Sequence, residues 1–143
     1  MSFRDKASFG KRQEYRVIAE LLARGFDVYK TLVDDQGIDC IIRFDEKRYA
    51  DIQIKARSSQ AATQHRFPGL TFTPRANFFY IFFFERTKDY WVIPTMDLER
   101  LCYKSRGKMD FGLPKTDRLV EEKGLAKYKN GKGFELLMAF GRS

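Results

Sequence analysis

The chain has 143 residues and fits a single domain, residues 1–143, with enough apolar (43%) and aromatic (15%) content to bury a core. No apolar run reaches the ~18–20 residues of a membrane helix, the longest being Phe78 to Phe84, so no membrane partner is expected. A net charge of +8 points to a polyanionic partner, nucleic acid above all.

The first fifteen residues, MSFRDKASFGKRQEY, hold no apolar signal segment. Gly10 to Gly25 reads as a helix, because Tyr15, Ile18, Leu21 and Leu22 recur at three- and four-residue spacing and Gly25 is a natural stop. Phe26–Val33 reads as a strand, Asp34 to Gly37 as a turn, Ile38–Phe44 as a second strand and Arg48–Arg57 as a third. Ser58 to Arg75 has little periodicity. Its Pro68-Gly69 and Pro74 mark a loop, with Leu70–Thr73 at most briefly extended. Asn77–Glu85 is apolar on both faces and predicts a central strand covered above and below. A hairpin turn at Arg86–Asp89 returns the chain as DYWVIP, and Thr95 or Asp97 caps a helix running to about Tyr103.

Residues 104–116 look irregular. Beyond them LAKY and FELLMAF each suit a short helix, broken by NGKG. Nine basic and four acidic residues lie between Lys104 and Lys132, and five basic and two acidic between Met1 and Arg16. Basic ends thus flank a near-neutral middle, as a phosphate-gripping surface requires; an ordinary solvated surface is the plainer alternative. Cys40 and Cys102 form neither a disulfide framework nor a CxxC pair, so a reduced, cytoplasmic protein is expected. There is no glycine-rich phosphate loop, hence no nucleotide cofactor, and no Cys/His cluster for zinc. The order of elements predicts a small α/β sandwich: a mixed central sheet flanked by helices.

Chemistry concentrates in YADIQIKARS, Tyr49 to Ser58. Ala50, Ile52, Ile54 and Ala56 share one face of the strand; Asp51, Gln53, Lys55 and Arg57 share the other. Glu14 lies four residues before Ile18 and seven before Leu21, on the inward stripe of the first helix, where a carboxylate is costly unless paired or metal-bound. If the second and third strands form a hairpin, Asp39 lies near Gln53 and Lys55. Two carboxylates, an amide oxygen and an ammonium then converge at the rim of the sheet.

The series G-x-x-x-E (Gly10 to Glu14), G-I-D (Gly37 to Asp39) and Q-x-K (Gln53 to Lys55) resembles the PD-(D/E)XK nuclease superfamily, over about residues 10–95. The resemblance implies a restriction-endonuclease-like α/β/α fold, with residues 10–95 as its core and 96–143 as a basic C-terminal extension. It also implies a metal-dependent endonuclease acting on DNA, with Mg²⁺ or Mn²⁺ as cofactor and a homodimer as the working unit. Asp39, Gln53 and the backbone carbonyl of Ile54 then hold the metal, with Glu14 in support. Lys55 orients or activates the attacking water, and Glu14, Asp39, Gln53 and Lys55 form the catalytic set. Lys11, Arg12, Arg57, Ser58 and Ser59 are the candidates for gripping the phosphate backbone.

This sequence departs from the pattern twice: Ile38 replaces the proline, and Gln53 replaces the acid. The glutamine keeps a carbonyl oxygen but removes one negative charge, for which Asp51, Asp34 or Asp35 can compensate. Plainer readings stand beside these. Glu14 can pair with Lys11 or Arg12, Asp39 can satisfy turn backbone, Lys55 can be a solvated strand lysine, and Ser58 and Ser59 can simply end the strand. A nucleic-acid-binding module without catalysis, or a structural subunit of a restriction or repair complex, therefore remains open beside the nuclease.

Overall fold

The structure is a computed structural model and describes residues 2–33 and 37–143. The expected turn at Asp34 to Gln36 lies outside these residues. The first helix, α1 (Phe3–Ala23), starts seven residues earlier than the apolar period predicts. The cause is a capping box: the Ser2 hydroxyl accepts from the Asp5 N–H, and the Asp5 carboxylate accepts from the Ser2 N–H. Both satisfy donors that a helix start leaves over. Gly25, in the left-handed region (φ 92°), ends the helix as expected.

Five strands form the main sheet: β1 (Asp27–Lys30), β2 (Cys40–Arg43), β3 (Tyr49–Arg57), β5 (Phe78–Phe84) and β6 (Asp89–Pro94), in the order β1-β2-β3-β5-β6. Only β3 and β5 run parallel, so the sheet is mixed. The β2–β3 hairpin forms with Cys40 opposite Ile52. β1 is half its expected length, and Leu32 and Val33 stand exposed beyond it. All seven residues of β5 are buried, and each buried phenylalanine is worth roughly 1.5–3 kcal/mol over exposure. That is possible because both faces are covered. Phe79, Ile81 and Phe83 pack with Val17 and Leu21 of α1 and with Phe134 and Leu137 of α4 (Asn130–Arg142). On the other face Phe82 and Ile93 pack with Phe67, Phe111 and Leu98.

Part of that second face is closed by a small antiparallel sheet the sequence did not reveal: β4 (Arg66–Leu70), β8 (Lys108–Gly112) and β7 (Tyr103–Ser105), in the order β4-β8-β7; Leu98, Val120, Leu125 and Tyr128 close the rest. β4 runs through Pro68-Gly69, read from sequence as a loop. The ladder shifts register between Phe67 and Leu70, which accommodates a proline that has no N–H to donate. The β7–β8 hairpin turns on Arg106 and Gly107, both at positive φ, in a stretch read as irregular.

The short helix α2 (Thr95–Leu101) follows β6, but neither Thr95 nor Asp97 caps it: the Thr95 hydroxyl is buried against the backbone of Arg75. α3 (Asp117–Glu122) is capped by Thr116. NGKG opens α4 instead of breaking a helix. Asn130 sits at positive φ while its amide accepts from the Tyr90 N–H and donates to Asp89, and Gly133 lies so close to the Tyr128 carbonyl that a Cβ would collide with it. Among the described residues no helix is long and apolar enough to cross a membrane.

Candidate active site

Asp39 stands immediately before β2, one residue past the last ladder pair. Its own N–H donates to the Ile52 carbonyl at 2.8 Å, which holds the residue against β3. Its buried carboxylate accepts the Ile54 N–H at 2.7 Å. Gln53 and Lys55 flank Ile54, so the hairpin brings Asp39 beside both, as the sequence anticipated.

Gln53 is half-buried, and its Oε1 is shut off from water with no hydrogen-bond donor among the described residues. Gly37 (φ 67°) lies against it: a Cβ there would stand 3.4 Å from Oε1, at contact distance. An acceptor left in this condition costs about 1–3 kcal/mol, and a cation would answer it. Lys55 is exposed, lies opposite Phe82 of β5, and has no ion-pair partner among the described residues. An unpaired ammonium beside an unanswered oxygen suits an anionic ligand that brings its own cation.

Glu14 is buried on the inward face of α1, as its spacing predicts. It pairs with Lys11 at 3.3 Å and, more closely, with Lys30 of β1. Lys30 also donates to the Asp39 backbone carbonyl at 3.3 Å. Burial works to lower its pKa, but the hydrogen bond and charge of Glu14, with Asp39 behind, outweigh that and hold the ammonium above its ordinary value. Sequence reasoning gave Lys30 no role. The signal was present: an inward carboxylate needs a cation, and Lys30 shares its strand face with Val28, which packs against the core. Gln13, also missed, is buried next to Glu14 in the chain, with Oε1 likewise lacking a donor among the described residues. Cys40 is buried, and burial, with the Asp39 charge added, pushes its thiol up to about 12, away from the thiolate form.

Asp51 is not available to replace the missing charge at Gln53, because its carboxylate is held by Arg75 at 2.7 Å. Asp34 and Asp35 lie outside the described residues. Among those described, no group of three or more His, Cys, Asp or Glu side chains can hold a metal ion. The donors present are the carboxylates of Asp39 and Glu14 and the orphaned Gln53 oxygen. They fit a hard divalent cation that draws the rest of its shell from water and phosphate.

The residues expected to grip the backbone divide into two groups. Lys11 and Arg12 are exposed on α1, Arg12 donating to Ser8 at 2.6 Å. Arg57 is turned inward, its guanidinium 4.6 Å over the Phe67 ring and donating to the Arg66 carbonyl, and burial lowers its pKa. Ser58 and Ser59 build the turn after β3. The Ser58 hydroxyl accepts from the Gln60 N–H, and the Ser59 N–H donates to Glu85. A cleft of about 440 Å³ opens there, between Lys6 and Phe9 of α1 and Arg57, Ser58 and Gln60.

No family model matches the chain, and no curated protein matches it by sequence. Among solved structures it is similar to a bacterial homing endonuclease, with a TM-score of 0.68, 19% identity and 93% of each chain covered. It is also similar to a Holliday junction resolvase of Archaeoglobus fulgidus, with a TM-score of 0.48, 12% identity, and 71% of this chain and 85% of that chain covered. The first likeness spans nearly the whole molecule, residues beyond 95 included, and the chain has the restriction-endonuclease-like nuclease fold.

Proposed function

We propose that this protein is a metal-dependent nuclease that hydrolyses phosphodiester bonds of DNA. One observation carries the reading: the Ile54 N–H holds the Asp39 carboxylate, and on either side of Ile54 stand a buried Gln53 oxygen and a Lys55 ammonium, neither with a partner among the described residues. The shared fold with an endonuclease supports it. Asp39, Gln53 and the Ile54 carbonyl would hold Mg²⁺ or Mn²⁺, with Glu14 in support. When bound, the metal supplies Lewis-acid polarisation of a phosphoryl oxygen and a water of lowered pKa. The Ile54 amide fixes the Asp39 carboxylate in orientation. Lys55 donates to the attacking water or the phosphate oxygens and stabilises the negative charge that develops there. Lys11, Arg12 and the cleft at Ser58 would carry the flanking phosphates, whereas Arg57 reaches them only from its seat on Phe67.

Cutting both strands of a duplex takes two such sites, so the active form is a homodimer. Residues 10–95 carry the chemistry and the basic stretch beyond them adds phosphate contacts. The thiols of Cys40 and Cys102 suit a reducing, cytoplasmic setting. The test is cleavage of linear, branched and single-stranded DNA with Mg²⁺ or Mn²⁺ and with EDTA, beside metal calorimetry on wild type and Asp39→Ala. Metal-dependent cutting and Asp39-dependent metal binding are the expected results. DNA binding that falls with salt, ignores EDTA and leads to no cutting would replace the nuclease with a binding module.

A further inference from the structure

Glu14 touches two ammonium groups, and they are not equivalent. Lys11 reaches it along the surface of the same helix and is more than half exposed. Lys30 comes from the neighbouring sheet edge, is the closer of the two, and anchors its other side on the Asp39 carbonyl. Lys30 thus bridges the Glu14 carboxylate and the Asp39 backbone. A cation held by the Glu14 and Asp39 carboxylates would have to come close to this ammonium. Two cations cannot stand a few ångströms apart without mutual repulsion.

We propose that Lys30 is the resident counter-cation of this site. It holds Glu14 toward Asp39 in the metal-free protein and must leave Glu14 when a divalent cation enters, so it sets how tightly the site binds metal. The inference rests on the metal-site reading above. Lys30 is a positioning residue: it acts on the ligands and takes no part in the reaction. Its departure is feasible because its side chain is 30% exposed at the end of an edge strand, with water within reach. With Gln53 in place of an acid, the site has one charge fewer to outbid the ammonium, which makes the competition count for more.

Calorimetric titration with Mg²⁺ and Mn²⁺ tests this on the full chain. Lys30→Met should tighten metal binding about three- to tenfold, the scale of one competing charge removed. Lys30→Gln should do the same while keeping a donor for the Asp39 carbonyl, which guards against a folding defect. Lys30→Arg keeps the charge and should keep the wild-type affinity. In a Glu14→Gln background, Lys30→Met should change nothing, because the contested carboxylate is gone. Thermal melts in EDTA should show the Lys30 and Glu14 substitutions to be non-additive. A folded Lys30→Met with unchanged or weaker metal binding, or additive melts, would overturn the inference. Absence of Asp39-dependent metal binding in every variant would instead sink the site reading itself, a separate result.

Discussion

The two ends of β3 present polar side chains to the same face of the sheet and treat them in opposite ways. Near its start, Asp51 is answered in full. Arg75 pairs with its carboxylate at 2.7 Å, the same guanidinium lies 4.5 Å over the Phe78 ring, and the Thr95 hydroxyl clamps the Arg75 backbone with two bonds of 3.0 Å. From its midpoint on, no described residue answers the Gln53 oxygen or pairs with the Lys55 ammonium. A closed polar network fixes structure; a buried polar group left open calls for a water, an ion, strain or chemistry to account for it. The difference therefore separates a carboxylate that holds the sheet to α2 from polar groups with no partner among the described residues, two and four residues further along one strand.

Exchanging the two aspartates breaks this comparison most directly. Asp39→Ala should lower DNA cleavage about a thousandfold or more, because it removes the charge on which the metal site depends. Asp51→Ala should leave the rate per folded molecule near wild type and cost about 2–3 kcal/mol in urea unfolding, between the values of exposed and buried pairs, since Arg75 is 41% exposed. Equal loss of cleavage in two fully folded variants would erase the distinction between the ends.

Lys55→Met sharpens it from the other side. Cleavage should fall about a hundredfold while stability moves by less than about 0.5 kcal/mol, as for surface positions generally. A large stability loss in that variant would mean that Lys55 has a structural partner after all. Gln53→Glu is more subtle, because it restores a charge at the open end. Metal affinity measured by calorimetry should rise about tenfold, one unit charge at short range, while the metal-free protein should lose about 1–2 kcal/mol for a carboxylate with no donor.

The smallest effect belongs to a second answered carboxylate, Asp110 on β8. The Gly69 N–H and the Arg66 guanidinium hold its pKa below the ordinary carboxylate value. A depressed pKa contributes stability above the unfolded value and loses it as pH falls through the folded one. Asp110→Asn should therefore melt slightly below wild type at pH 7, and the gap should close as the pH drops below about 4, near the unfolded carboxylate value.

Legibility followed locality. The alternation of Tyr49 to Ser58 and the seven-residue apolar run of β5 are patterns of period two and of full burial, written in adjacent residues, and both strands lie where they predict. The inward position of Glu14 was legible from helical spacing alone. Asp39 beside Gln53 needed only one short hairpin. The β4-β8-β7 sheet was not legible, because β4 is separated from β8 by nearly forty residues and carries Pro68-Gly69, which taken locally signals a loop. Asn130 at positive φ gave the same false signal: NGKG looks like a break until Tyr90 and Asp89 are seen to hold the asparagine.

The sequence by itself determined that a carboxylate, an amide oxygen and an ammonium would gather at one end of a mixed sheet, since strand period, helix period and one hairpin place them there. Only the tertiary structure decided which charges were already spoken for. Asp51 belongs to Arg75 and Glu14 to Lys30 and Lys11, while the Gln53 oxygen and the Lys55 ammonium have no partner among the described residues. Burial makes each such pairing a matter of a few ångströms between segments distant in the chain, and no local pattern records those distances.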